Sequence, residues 1–184
     1  MAARIALARI QGQMNELIYT PSSKGRSTYD FLHQVGLLDS ELVSLHECLP
    51  TELRFTDAQS ASPDVAAHLA MQYHAACLSL HRAALVAPPA FFKAAVERHY
   101  SAGMYKERVR RGESICSHSA QAIARMTIEL TEQNAYNKCL SAEPPMLACT
   151  ALAVLVLKGS SKLLRATNYE VGLGLYTYVR HILT

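Results

Sequence analysis

The sequence predicts an all-α fold, a multi-helix bundle with orthogonally crossing helices around one central buried helix at residues 65–85. Within that stretch the apolar residues recur at helical spacing, and neither Gly nor Pro interrupts them. Apolar residues cover most of its circumference, which is typical of a helix in the middle of a bundle. Elsewhere the chain contains no clear strand pattern, no hairpin dipeptide and no repeat.

The central helix is predicted to carry two apolar stripes and one narrow polar strip. One stripe consists of Val65, Leu69, Tyr73, Ala76 and Leu80. The second consists of Met71, Leu78 and Leu85, with His74 and His81 on the same side. The polar strip consists of His68, Gln72, Ser79 and Arg82, with Ala75 among them. Two apolar stripes indicate that neighbouring helices pack on both sides.

The first third of the chain predicts three helical segments before the central helix. Residues 3–19 form an amphipathic pattern, and the loop that begins at Pro21 ends it. A short helix is expected near Ser27, and a separate helix is expected to follow, with Asp39 as its N-cap and Pro50 at its exit. A loop at 56–63 then leads into the central helix, which starts at residues 62–64 with Pro63 near its first turn.

Four further segments follow the central helix. A helix is expected at 90–100, and the basic stretch 106–111 is interpreted as a solvated loop, with phosphate contact as the less favoured alternative. A clean amphipathic helix follows at 114–132. Residues 146–157 are apolar all round and predict a buried core helix that two prolines open. A last helix, weakened by two glycines, is expected at 168–183.

Composition predicts one globular domain over residues 1–184. Half of the residues are apolar, and 18% are charged. A net charge of +3 is too small to indicate nucleic-acid binding, and no apolar run is long enough for a membrane span. Five widely spaced cysteines indicate a reducing compartment. Arg4 and Arg9 interrupt what would be the apolar part of a signal peptide, so we expect an intracellular protein.

Catalytic and metal-binding chemistry finds little support in the residue patterns. The nucleophile-elbow, zinc-protease and phosphate-loop motifs are absent from the sequence. His74, Cys77 and His81 lie in one sector of the central helix and could begin a zinc site. Hydrogen-bonded core histidines beside a packed cysteine are the favoured interpretation, because no fourth ligand is visible nearby. We therefore predict no catalytic, metal or DNA-binding residue.

Four stretches resemble one known family. They are residues 4–13 with 17–21, residues 37–55, residues 69–85, and the segment that contains Cys116 and Ala120. In this order they are similar to the middle homology region of fungal-specific transcription factors, a helical regulatory domain that usually follows a zinc binuclear cluster. The residues that match the family's motifs are Leu69, Tyr73, His74, Leu80, His81, Arg82, Cys116 and Ala120. Leu45 and Ala83 depart from the family pattern, which often has Trp and Pro there.

The resemblance implies a regulatory and interaction domain that controls RNA polymerase II transcription in the nucleus. It implies no enzyme activity, no direct nucleic-acid contact and no membrane contact. No cofactor is expected in this chain, because zinc would belong to a DNA-binding cluster outside it. Other parts of a longer regulator, coactivators or a small-molecule effector are the implied partners, and a homodimer is also compatible. The chain would then be a fragment or a truncated relative.

Two other classes of function stay open at the level of sequence. One is an all-α enzyme or small-molecule-binding protein whose site residues converge only in three dimensions. The other is a helical scaffold. For a ligand pocket, Tyr73, His74 and His81 are the candidate lining residues, and their alternative role is that of ordinary core polar residues.

Overall fold

The structure is a computed structural model that describes residues 2–19, 28–50, 63–86, 102–132 and 143–158. Every regular element within these ranges is an α-helix, so the all-α prediction is confirmed for the described part of the chain. None of the helices described is long and apolar enough to cross a bilayer. The predicted helices at 90–100 and 168–183 lie outside the described residues, as does the predicted loop at 56–63 except for Pro63, which begins a helix.

Helix α1 spans Ala2–Tyr19, close to its predicted bounds. Its apolar side chains recur every three or four residues, and this spacing places them on one face. The buried members of that face are Leu7, Ile10, Met14 and Leu17. The amphipathic prediction for this segment is therefore confirmed.

Helix α2 spans Thr28–Glu47 without interruption, so the prediction of two segments separated at Asp39 is wrong. Asp39 is not an N-cap, because it lies in the interior of this helix. Gly36 is the one weak helix former near the expected break, and a single interior glycine costs only about 1 kcal/mol. Burial of Val35, Leu38 and Leu42 on one face offsets that cost. The helix ends at Glu47, before Pro50, as predicted.

Helix α3 spans Pro63–Val86 and packs against neighbours on two sides, as its two stripes predict. Its Leu69, Ala76 and Leu80 join α1 and α2 in one cluster of buried residues, the first core. The remaining members of the first core are Leu7, Ile10, Met14, Leu17, Val35, Leu38, Leu42, Leu49 and Cys77. Its Met71 and Leu78 belong to a different cluster. Ala75, predicted among the polar residues, is buried in that second cluster.

Helix α4 spans Ala102–Glu132 and begins well before its predicted start. The interpretation of residues 106–111 as a solvated loop is wrong, because these residues form early turns of the helix. Lys, Arg and Glu are good helix formers, and Arg108 and Arg111 also find partners on α2. The apolar face predicted for 114–132 is confirmed at Cys116, Ala120 and Ile123, all fully buried.

Helix α5 spans Glu143–Lys158, with its prolines in the first turn, where the missing N–H groups cost nothing. It supplies Ala148, Ala151 and Leu152 to the second cluster, which we call the second core. The other members of the second core are Met71, Ala75, Leu78, Cys116, Ala120, Ile123 and Ala124. The prediction of a core helix is confirmed on this face, whereas Met146 and Thr150 are exposed on the opposite face.

The helices thus form two units that share α3. The closest approaches join α3, α4 and α5 to one another, and α1 to α2. Alanines lie at the α3–α4–α5 contacts, and their small methyl side chains let the helix axes approach closely. The approach of α1 and α2 to α3 is less extensive. Polar side chains occupy much of the interface between α3 and the α1–α2 pair, and they constitute the candidate site.

Candidate functional site

The centre of the site is the carboxylate of Asp39 on α2. Its Oδ1 lies 3.0 Å from Nε2 of His81 on α3, and its Oδ2 accepts a hydrogen bond of 2.8 Å from Arg111 on α4. An ionised carboxylate only accepts hydrogen bonds, so Nε2 of His81 carries a proton and donates it. The two side chains of the Asp39–His81 pair are only 16% and 11% exposed. One acidic residue therefore joins three helices.

The pKa of Asp39 lies below its ordinary value. The hydrogen bond from His81 is the largest cause, and the positive charges of Arg111 and Arg108 lower it further, while burial acts in the opposite direction. The carboxylate is consequently ionised at neutral pH. Its role was missed at the level of sequence, although Asp39 lies within the buried stripe of α2, between Val35 and Leu42. An acidic residue at such a position is the signal that identifies it.

Arg108 makes the second contact between α2 and α4. Its guanidinium donates a hydrogen bond to the backbone carbonyl of Leu32. Gly36 permits this approach, because a Cβ at residue 36 would lie 2.9 Å from the guanidinium nitrogen. The basic stretch 106–111 is thus not uniformly solvated. Arg110 is exposed, whereas Arg108 and Arg111 hold α4 beside α2.

His74 lies two turns before His81 on the same side of α3, where it contacts α4. Its Nδ1 is 3.3 Å from the hydroxyl of Ser119, a side chain that is only 2% exposed. Burial lowers the pKa of His74 to about 4, and the nearby positive charges of His118, His46 and Arg125 add to the effect. The imidazole is therefore neutral at physiological pH. It acts as a hydrogen-bonded, largely buried side chain between α3 and α4.

Tyr73 directly precedes His74 on α3, and Cys77 lies between His74 and His81 along the helix. The ring of Tyr73 is 5.2 Å from His46 of α2 and 5.3 Å from His74. Burial raises the pKa of the Cys77 thiol to about 12, and burial also raises the pKa of the Tyr73 hydroxyl. Both groups are protonated at neutral pH. Cys77 is therefore a packed thiol and not an activated nucleophile.

The candidate pocket residues Tyr73, His74 and His81 do not converge. Tyr73 and His74 are in ring contact, but His74 pairs with Ser119, whereas His81 pairs with Asp39. The described residues also give no support to a zinc site at His74, Cys77 and His81. Within the described ranges, no group of three or more His, Cys, Asp or Glu side chains could hold a metal ion.

Two more contacts complete the join between α1, α2 and α3. Gln11 donates to Gln72 at 3.5 Å, and the Arg82 guanidinium donates to the Tyr19 hydroxyl at 2.6 Å. We name the whole set of contacts the polar seam. It consists of Asp39–His81, Asp39–Arg111, Leu32–Arg108, His46–Tyr73, Gln11–Gln72 and Tyr19–Arg82.

The residues on which the predicted family resemblance depends lie in this seam, at the contact with α4 and in the two cores. Tyr73, His81 and Arg82 lie in the polar seam, and His74 contacts α4. Leu69 and Leu80 belong to the first core, and Cys116 and Ala120 belong to the second core. Comparison of the chain with family models, with curated proteins and with solved structures finds no match.

Proposed function

We propose that this chain is the regulatory and interaction domain of a fungal transcription factor that acts in the nucleus on RNA polymerase II transcription. DNA binding resides outside the chain, in a zinc cluster. The domain is not an enzyme. Its inputs are other parts of the regulator, coactivators or a small-molecule effector, and its output is a change in how strongly transcription is activated.

The observation that supports this proposal most is the position of the family-motif residues. Tyr73, His81 and Arg82 make polar contacts between α3 and the α1–α2 pair. A regulatory domain needs an element with two arrangements whose balance an input can change. A join made by polar side chains suits that purpose, because water can replace its hydrogen bonds at a small net cost.

The chemistry of the buried groups also favours regulation over catalysis. A catalytic thiol, hydroxyl or imidazole needs a pKa adjusted toward its task. The pKa values of Cys77 and Tyr73 are displaced upward and that of His74 downward, so all three are neutral, and burial is the main cause in each case. Such pKa shifts are typical of side chains that are buried by packing. They give the enzyme alternative no nucleophile or general base among these residues.

A reporter assay tests the proposal. The chain is inserted between an unrelated DNA-binding domain and an unrelated activation segment, and transcription of a reporter gene is measured in yeast. We expect the inserted chain to reduce reporter transcription severalfold relative to the same fusion without it. Asp39→Asn removes the charge that holds three helices together, so it should relieve that reduction.

The matched control is Glu16→Gln, which removes one carboxylate from an exposed position of α1. It should reduce reporter transcription as much as the unaltered chain does, with fusion-protein amounts checked by immunoblot. Equal reporter transcription with and without the chain would count against a regulatory role. Equal effects of Asp39→Asn and Glu16→Gln would show that regulation does not act through the polar seam.

A further inference from the structure

The two cores of this protein are held together in different ways. The second core joins α3, α4 and α5 through fully buried apolar side chains, among them Met71, Ile123 and Leu152. The α1–α2 pair also has apolar packing of its own in the first core. Its connection to the other three helices depends on four side chains of α3, on Ile115 at the edge of the first core, and on the polar seam.

The polar seam is the part of this connection that water can replace. Arg111 is 63% exposed and Tyr19 is 62% exposed, so both already contact solvent. Breaking their contacts exchanges a hydrogen bond within the protein for one with water. Separating α3 from α4 instead exposes close-packed apolar groups that gain nothing from water. Opening at the seam also exposes the four apolar side chains of α3 in the first core, but the packing of α1 and α2 against α3 is less extensive than the packing among α3, α4 and α5. The free energy of opening is therefore lower at the seam than within the second core.

We propose that the α1–α2 pair opens away from α3, α4 and α5 as one cooperative unit, and that Asp39 controls this opening. Asp39 contacts two other helices, through His81 on α3 and Arg111 on α4. Loss of its charge weakens both contacts at once, because asparagine offers one acceptor oxygen where the carboxylate offers two. Opening uncovers the stripe of α3 that contains Leu69, Ala76 and Leu80. This inference concerns conformation alone and does not depend on a role in transcription.

Hydrogen exchange followed by mass spectrometry on the full chain tests this opening. The unaltered protein, Asp39→Asn and the control Glu16→Gln are compared at neutral pH, where amide exchange reports the equilibrium between closed and open states. In Asp39→Asn we expect the amides of α1 and α2 to exchange about tenfold faster. Amides of residues 114–130 in α4 and of α5 should keep their rates, and Glu16→Gln should match the unaltered protein.

Two results would overturn the proposal. If α4 and α5 accelerate by the same factor as α1 and α2, the protein opens only as a whole. If α1 and α2 keep their rates in Asp39→Asn, then Asp39 does not control the opening. Should Asp39→Asn fail to fold, Arg111→Gln takes its place, because it removes only one of the two contacts from an exposed position. We then expect the same pattern over the helices with a smaller factor.

Discussion

The neutral, buried imidazole of His74 makes stability depend on pH in a calculable way. Its pKa is about 4 in the folded protein and returns to the ordinary 6.5 when the chain unfolds. Between these two values the unfolded state binds a proton that the folded state does not. Stability therefore falls as pH falls through this window. The full loss is about 3 kcal/mol, of which about 2 kcal/mol occurs between pH 7 and pH 5.

The substitution His74→Gln tests this magnitude. Glutamine does not titrate, so the part of the pH dependence that His74 causes should disappear. Urea unfolding at several pH values gives the free energy of unfolding of each protein. From about pH 7 to about pH 5, the unaltered chain should lose about 2 kcal/mol more than His74→Gln does.

The control for this prediction is His33→Gln on α2, since the side chain of His33 is exposed. It should retain the pH dependence of the unaltered protein. Parallel stability curves for the unaltered chain and His74→Gln would refute the reasoning. Such a result would mean that the environment of His74 does not disfavour its charged form, and that the contact with Ser119 is not as dry as the structure indicates.

Three further predictions concern single side chains, each checked by urea unfolding. Gly12→Ala should stabilise the protein by about 0.5–1 kcal/mol, because a Cβ at residue 12 meets nothing within 4 Å. Gly36→Ala should give little or no gain, because its methyl group would displace the Arg108 guanidinium, whose nitrogen lies 2.9 Å from that Cβ position. Equal gains in stability from the two substitutions would contradict this reasoning. Ile123→Ala empties a fully buried position and should cost about 3 kcal/mol, and the same change at Ile5, 63% exposed, should cost less than about 0.5 kcal/mol. The pKa of Asp39 is lowered in the folded state, so its contribution to stability is present above pH 3.8 and is lost as pH falls below it. Asp39→Asn should abolish that acid-induced loss, and an unchanged loss would refute the assignment.

Local pattern was sufficient to predict the faces of the helices. The two stripes of α3 pack in two different cores, with Leu80 in the first and Leu78 in the second. This succeeds because burial is set by helical periodicity, which depends only on neighbouring residues. The buried face of α4 at Cys116 and Ile123 was predictable for the same reason.

The contacts between helices were not predictable in the same way. Asp39 looks like a helix cap because Asp is favoured there, yet in the interior of α2 it pairs with a residue 42 positions away. The residues around Arg108 look like a loop because they are charged. Their helical state is favoured by partners on α2 that local pattern does not contain. Sequence reasoning fails here because the partner, not the neighbouring residues, decides the role of each side chain.

Within a single turn of α3, neighbouring residues pack against different helices. Leu78 and Leu80 are two positions apart, yet they contact different partners and share no core. In related sequences, a change at Leu80 should therefore be accompanied by changes in α1 or α2. A change at Leu78 should be accompanied by changes in α4 or α5. The two cores can thus diverge independently of each other, whereas the polar seam still couples α2 to α4.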